Sequence, residues 1–197
     1  MRTRALWGAV ALAVLAGCSR QPAVETPSPA PPVASPTYVC TPASGQPYAC
    51  TGQQYTDQEK QKVLTDSTRQ VFARYFNEAS RLYRAGGAAQ ATDVLKATTA
   101  EKYLQAKQAE FAQLKSSGVQ AVGGNIRLVR TKPDPEVKDK GFDAGLDMCI
   151  DATSVQLKRG DQVVDDKGFA VAGNVYFKRV GGALKIVDSE ERLVAGC

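Results

Sequence analysis

The sequence predicts an α+β domain in which N-terminal helices pack on a curved, four-stranded antiparallel sheet. Three observations carry that prediction. Up to Gly118 the apolar residues recur at steps of three and four, the period of a helix with one buried face. After Gly118 they alternate, the period of a strand. The helical stretches come first and the strands follow without helices between them, which is the order of an α+β fold rather than of an alternating α/β one.

The first helix is predicted from Thr56, where Thr56-Asp57-Gln58-Glu59 reads as a capping box. Leu64, Val71, Phe72, Tyr75, Phe76, Ala79, Leu82 and Tyr83 then mark one apolar face, and Gly86-Gly87 closes the helix. A short helical segment spans 89–97. Thr98 and Glu101 form a second capping box for a helix whose stripe holds Tyr103, Leu104, Lys107, Phe111 and Leu114. Lys107 in that stripe is expected to lay its stem on the core and reach water with its amine.

Residues 119–130 read as a strand kinked at Gly123-Gly124, followed by a charged loop over 131–141. Over 144–157 the apolar residues fall first on even positions (Leu146, Met148, Ile150) and then on odd ones (Val155, Leu157). A regular strand cannot change face, so a β-bulge is expected near 152–154. Asp147, Cys149 and Asp151 share the opposite face. A hairpin loop over 158–168, a strand over 169–178, a tight Gly181-Gly182 turn and a last strand over 184–194 complete the meander.

Composition narrows the chemistry. The chain of 197 residues has no histidine, which removes histidine-based triads, metal sites and pH switches. Its net charge of +5 is mild and its basic residues are scattered among acids, so no nucleic-acid partner is expected. Asp161, Asp165 and Asp166 lack the ligand spacing of a calcium loop, and no metal or other cofactor is predicted. Arg159-Gly160-Asp161 spells an adhesion tripeptide but reads first as turn chemistry.

Five cysteines remain to be placed. Cys40, Cys50, Cys149 and Cys197 make an even set, which in an exported chain implies two disulfides. Proximity favours Cys40 with Cys50, which leaves Cys149 with Cys197. A zinc site of four thiolates is the competing reading, and no C-x-x-C spacing supports it.

The fifth is Cys18. A basic start, Arg2 and Arg4, precedes an unbroken small-and-apolar run over 5–16, too short to span a bilayer, which takes about 20 residues. Leu15-Ala16-Gly17-Cys18 follows at once and resembles a bacterial lipobox. That resemblance implies a signal peptide over 1–17, diacylglyceryl and palmitate-type acylation at Cys18, and a chain held on the outer side of the cell membrane. Residues 18–55 read as the tether. Pro22, Pro27, Pro29, Pro31, Pro32, Pro36, Pro42 and Pro47 bias it toward extended, solvated chain, interrupted by a small loop between Cys40 and Cys50.

For residues 56–197, the helix-glycine-strand junction and the bent strand look like the NTF2-like (cystatin-like) cone fold. Met148-Cys149-Ile150-Asp151-Ala152-Thr153, with a cysteine ending the chain, resembles a group of actinobacterial NTF2-like lipoproteins. The resemblance implies the cone fold and a Cys149–Cys197 bond, and no activity. A cavity in such a cone would be lined by Tyr75, Phe76, Tyr83, Tyr103 and Phe111. Four functions stay open: a binding module for another envelope protein, a small-molecule or lipid-binding cone, an isomerase- or hydrolase-type enzyme, and an accessory subunit of a secretion or conjugation assembly. An enzyme would need a carboxylate turned into the cavity, with Asp151 the candidate, and the exposed sheet face is the expected place for a homodimer.

Overall fold

The computed structural model describes residues 36–42 and 45–197, and the unit that carries the fold is Thr37–Cys197. Cys18 and the signal and tether residues before 36 lie outside the described residues.

A small hairpin comes first. β1 (Tyr38–Cys40) pairs antiparallel with β2 (Tyr48–Cys50), and the Cys40–Cys50 disulfide closes it. The hairpin packs on the start of α1 (Gly52–Arg84). The Thr41 N–H donates to Gln58 Oε1 at 3.0 Å, Gln58 Nε2 donates back to the Thr41 carbonyl, and the Tyr38 and Tyr55 rings lie 5.3 Å apart.

α1 begins earlier than the Thr56 capping box predicts. Thr51 is the N-cap: its hydroxyl accepts from the Gln54 N–H at 3.2 Å, and Gln54 Oε1 accepts from the Thr51 N–H at 2.9 Å. This equally good box one turn upstream wins, and the Thr56 hydroxyl instead donates to the Gly52 carbonyl at 2.8 Å. At the other end Gly87, in the left-handed region (φ +84°), donates its N–H to the Leu82 carbonyl, and a Cβ there would stand 2.1 Å from the Phe111 carbonyl oxygen. Only glycine lets α1 end this close to the next helix but one.

α2 (Asp93–Thr98) and α3 (Glu101–Ser117) follow. The predicted Thr98–Glu101 box does not form. The Thr98 hydroxyl donates to the Val94 carbonyl at 2.7 Å, Ala100 takes the N-cap position without a side-chain bond, and its N–H donates to the Ile186 carbonyl. A backbone link to the sheet has displaced the local cap. Gly118 (φ +66°) stops α3 as expected.

The remaining strands form two open sheets. β4 (Arg127–Pro133), β5 (Ala144–Ala152), β8 (Phe169–Val180) and β9 (Ala183–Val194) make a four-stranded antiparallel sheet in the order β4-β5-β8-β9. β3 (Val119–Val122), β6 (Gln156–Arg159) and β7 (Gln162–Asp165) make a separate one in the order β3-β6-β7. The α+β class and its four-stranded sheet are therefore present, and the second sheet is additional.

Two expected continuous strands are each cut in two by this arrangement. Gly123-Gly124 is a break between β3 and β4 rather than a kink, held by the Arg84 guanidinium, which donates to both glycine carbonyls at 3.0 and 2.9 Å. In place of a bulge near 152–154, β5 stops and the chain turns into the other sheet. The Asp151 carboxylate accepts from the N–H and hydroxyl of Thr153, and the Val155 N–H donates to the Ala152 carbonyl. The observed register shifts lie instead at Leu128/Arg130, Leu157/Lys158 and Tyr176/Phe177. The loop expected over 158–168 contains β7, and that over 131–141 contains the end of β4 and a 3-10 turn, Pro135–Lys140.

The core lies between α1 and the inner face of the larger sheet. Phe72, Tyr75, Ala79 and Leu82 of α1 meet Leu146, Met148, Val175, Phe177 and Ile186, with Leu95, Tyr103 and Phe111 closing one side. Each Leu, Ile, Val, Phe or Met among them contributes roughly 1.5–3 kcal/mol on burial. On the outer face Phe142 stacks on Tyr176 with centroids 4.7 Å apart, and the Cys149–Cys197 disulfide ties the C-terminus to β5. Among the described residues no helix is long and apolar enough to cross a membrane.

Candidate functional site

A cavity of about 60 Å³ opens between α1 and the four-stranded sheet. α1 contributes Phe72, Tyr75, Phe76, Ala79, Ser80 and Tyr83, which recur at steps of three and four along one side of the helix. The sheet contributes Met148 and Ile150 of β5, Phe169 and Val171 of β8 and Glu191 of β9, while Ile126 and Lys107 of α3 complete the wall. The volume is well below the ~300 Å³ at which pockets begin to enclose a drug-sized ligand.

Of the five residues expected to line a cone cavity, Tyr75, Phe76 and Tyr83 do so. Tyr103 stands behind Tyr75, its hydroxyl 2.9 Å away, and Phe111 is core, 1% exposed and edge-on to Tyr83 at 5.3 Å. Neither reaches the cavity lining.

The polar part of the wall is a network that joins three elements. The Tyr103 hydroxyl lies 2.9 Å from that of Tyr75 and 3.3 Å from Glu191 Oε1. Lys107 Nζ lies 3.1 Å from Glu110 Oε2 and 3.7 Å from Glu191 Oε2, and 5.4 Å from the centre of the Tyr103 ring. The Tyr83 hydroxyl donates to Glu110. The Lys107 amine thus turns inward to the two carboxylates instead of outward to water as the sequence implied; its side chain is 15% exposed. A charged group held this far from water needs partners of opposite sign, and the network supplies them.

Burial pushes the Tyr75 hydroxyl up to about 12, against which the Lys107 charge and the Tyr103 bond act weakly. Burial likewise raises Tyr103 and Tyr83, the latter helped by the Glu110 charge. Burial draws the Lys107 ammonium down, but Tyr75, Glu191 and Glu110 outweigh it and hold the ammonium above its usual range. At neutral pH the three tyrosines are therefore hydrogen-bond donors and Lys107 is a cation.

Asp151 is elsewhere. It alternates with Met148 and Ile150 and so points to the outer face, where the Thr153 N–H and hydroxyl, then Arg127 at 2.6 Å, hold its carboxyl down to about 2. It does not reach the cavity, and the enzyme reading that depended on it loses its base. In the β6–β7 turn, Arg159 of the Arg-Gly-Asp tripeptide donates to the Ser117 carbonyl at 3.0 Å and is tied back to the domain. Cys40 is bonded to Cys50 and Cys149 to Cys197, so the four-thiolate zinc reading is overturned. Among the described residues no three His, Cys, Asp or Glu side chains gather as metal ligands.

Glu191 and Ser80 escaped the sequence reading for different reasons. Glu191 faces inward because β9 carries one extra residue at Val187: Ile186 pairs with Phe177 but Asp188 pairs with Tyr176, and beyond that point Ser189, Glu191 and Leu193 take the inner face. Without the bulge, simple alternation from Leu184 and Ile186 would have turned Glu190 inward. Ser80 falls beside the apolar stripe and gives no signal. Lys107 did give one, as a charge inside an apolar period.

No family model, no curated protein and no solved structure matches this chain.

Proposed function

We propose that this chain is a lipid-anchored lipoprotein on the extracytoplasmic side of the cell membrane, whose α+β domain, of the NTF2-like type, is a binding module for another protein of the envelope. One observation carries the reading: the four cysteines of the folded domain pair with one another. Such bonds fit an oxidising compartment, as an exported, lipobox-bearing chain would meet. The long helix across a four-stranded antiparallel sheet, with glycine at the helix-strand junction, supports the NTF2-like assignment; the separate β3-β6-β7 sheet is a departure from the expected single meander.

Two experiments test the two halves. Cys18→Ser should move the chain from the membrane fraction to the soluble extracytoplasmic fraction, and a variant that stays membrane-bound contradicts the lipid anchor. Native mass spectrometry of the chain extracted from its envelope should show it with a protein partner; a bare chain, or one carrying only a small molecule, contradicts the module. The cavity favours the second outcome's small-molecule version as the alternative reading, a ligand-binding cone.

A further inference from the structure

The chemistry of the cavity wall selects among ligands. Ser80 lines the cavity, and its hydroxyl oxygen is shielded from solvent and has no hydrogen-bond partner. A buried hydroxyl left unpaired is unfavourable, so a molecule that brings it a partner gains on entering. Glu191 lines the same space with its side chain 26% exposed. Its nearest cation is Lys107 at 3.7 Å, and Lys107 stands closer to Glu110, at 3.1 Å. One ammonium thus serves two carboxylates, and the carboxylate on the cavity side is the less neutralised of the two. Apart from the Lys107 side chain and the Tyr75 and Tyr83 hydroxyls, the remaining wall is apolar, with aromatic rings from Phe76, Tyr83 and Phe169.

We infer that the cavity is a binding site for a small apolar primary amine. Its ammonium donates to Glu191 and to the Ser80 oxygen, neutralising the excess negative charge, and its short tail packs on Phe72, Ile150 and Val171. Aromatic faces beside a cation add a further attraction. An anion of the same shape meets the net negative charge of the cluster formed by Glu191, Lys107 and, behind the wall, Glu110, and is repelled. A neutral alcohol satisfies Ser80 but leaves the charge uncompensated. The volume of about 60 Å³ restricts the enclosed part to a few non-hydrogen atoms, with any longer tail at the opening. Amine binding here requires neither the lipid anchor nor the envelope partner proposed above.

The test is a ligand-detected NMR titration of the full chain in nanodiscs of zwitterionic lipid, with empty nanodiscs as the blank. The probes are n-butylamine, n-butanol and butyrate. The amine should bind saturably and about tenfold or more tighter than the alcohol or the acid, as a charge-assisted hydrogen bond requires. Glu191→Gln should weaken amine binding by about tenfold or more, while Asp151→Asn on the outer face leaves it unchanged. Where Glu191→Gln does not fold, Ser80→Ala takes its place, since it removes a hydroxyl with no partner, and amine binding should weaken several-fold. Equal or tighter binding of butanol or butyrate overturns the proposal, as does the lack of saturable amine binding. Unchanged amine affinity in the folded Glu191→Gln variant, or in Ser80→Ala where it replaces it, overturns it as well.

Discussion

The hydroxyl of Tyr103 on α3 lies 2.9 Å from the hydroxyl of Tyr75 on α1, and both rings are buried. The bond fixes the two helices over the cavity and passes on to Glu191 of β9 at 3.3 Å. Tyr103→Phe should therefore destabilise the domain by about 1–2 kcal/mol, since it strips a buried hydroxyl of its partner. Urea unfolding of Tyr103→Phe, Tyr75→Phe and the double variant measures the coupling, expected at about 1 kcal/mol. Strict additivity would show that the two hydroxyls act independently.

The tyrosines make the domain sensitive to alkali. Tyr75 ionises near 10.0 when unfolded and at about 12 in the fold. Below pH 10 both states keep the proton and stability is unaffected. Between pH 10 and 12 the unfolded state alone releases it, so stability falls as pH rises, by about 3 kcal/mol in all for this one group. Tyr83 and Tyr103 are raised and act in the same direction. Urea midpoints at pH 9, 10 and 11, with tyrosinate absorbance followed in parallel, should show a progressive loss. Tyrosines that all ionise near 10 in the folded state, at constant stability, would contradict the buried network.

Lys107 is the cation on which two carboxylates depend. Lys107→Met should cost about 3 kcal/mol, because Glu110 and Glu191 are left facing each other with reduced access to water. Lys102 is the control. It pairs with Asp188 at 2.6 Å but is 70% exposed, and Lys102→Met should cost under about 1 kcal/mol. Thermal unfolding of the two variants beside the parent protein separates these cases.

The two disulfides should differ in worth. Cys149–Cys197 spans 48 residues and Cys40–Cys50 spans 10. On chain-entropy grounds the first stabilises by about 4 kcal/mol and the second by about 3 kcal/mol. Paired serine substitutions, compared by urea unfolding, should fall in that order. Loss of the second should also speed hydrogen exchange at Thr41, whose N–H is held by Gln58 across 17 residues, while the core amides of β8 keep their protection.

The class of fold was legible because it rests on period alone: three-and-four spacing through Phe72, Tyr75, Ala79 and Leu82, then alternation through Leu146 and Met148. Glycine signals were equally clear where backbone geometry demanded them, at Gly86-Gly87, Gly118 and Gly181-Gly182. What the period could not convey was which strand pairs with which. The face switch between Ile150 and Val155 is a change of sheet, enforced by the turn that Asp151 and Thr153 build, and a bulge has the same signature in sequence. Competing caps were a second source of error, since Thr51-Gln54 and Thr56-Glu59 are both sound boxes a turn apart. The candidate site was half legible. Its helix side follows from the stripe that holds Tyr75, Phe76 and Tyr83. Its sheet side depends on the extra residue at Val187, which turns Glu191 inward and has no mark in the local sequence.

The most direct measurement is the intact mass of the chain extracted from its native cells, before and after reduction with alkylation. The account predicts a chain beginning at Cys18 and carrying diacylglyceryl and acyl mass, with no thiol open to alkylation until the two disulfides are reduced. An unlipidated chain, or one beginning elsewhere, would contradict the anchor on which the proposed function rests.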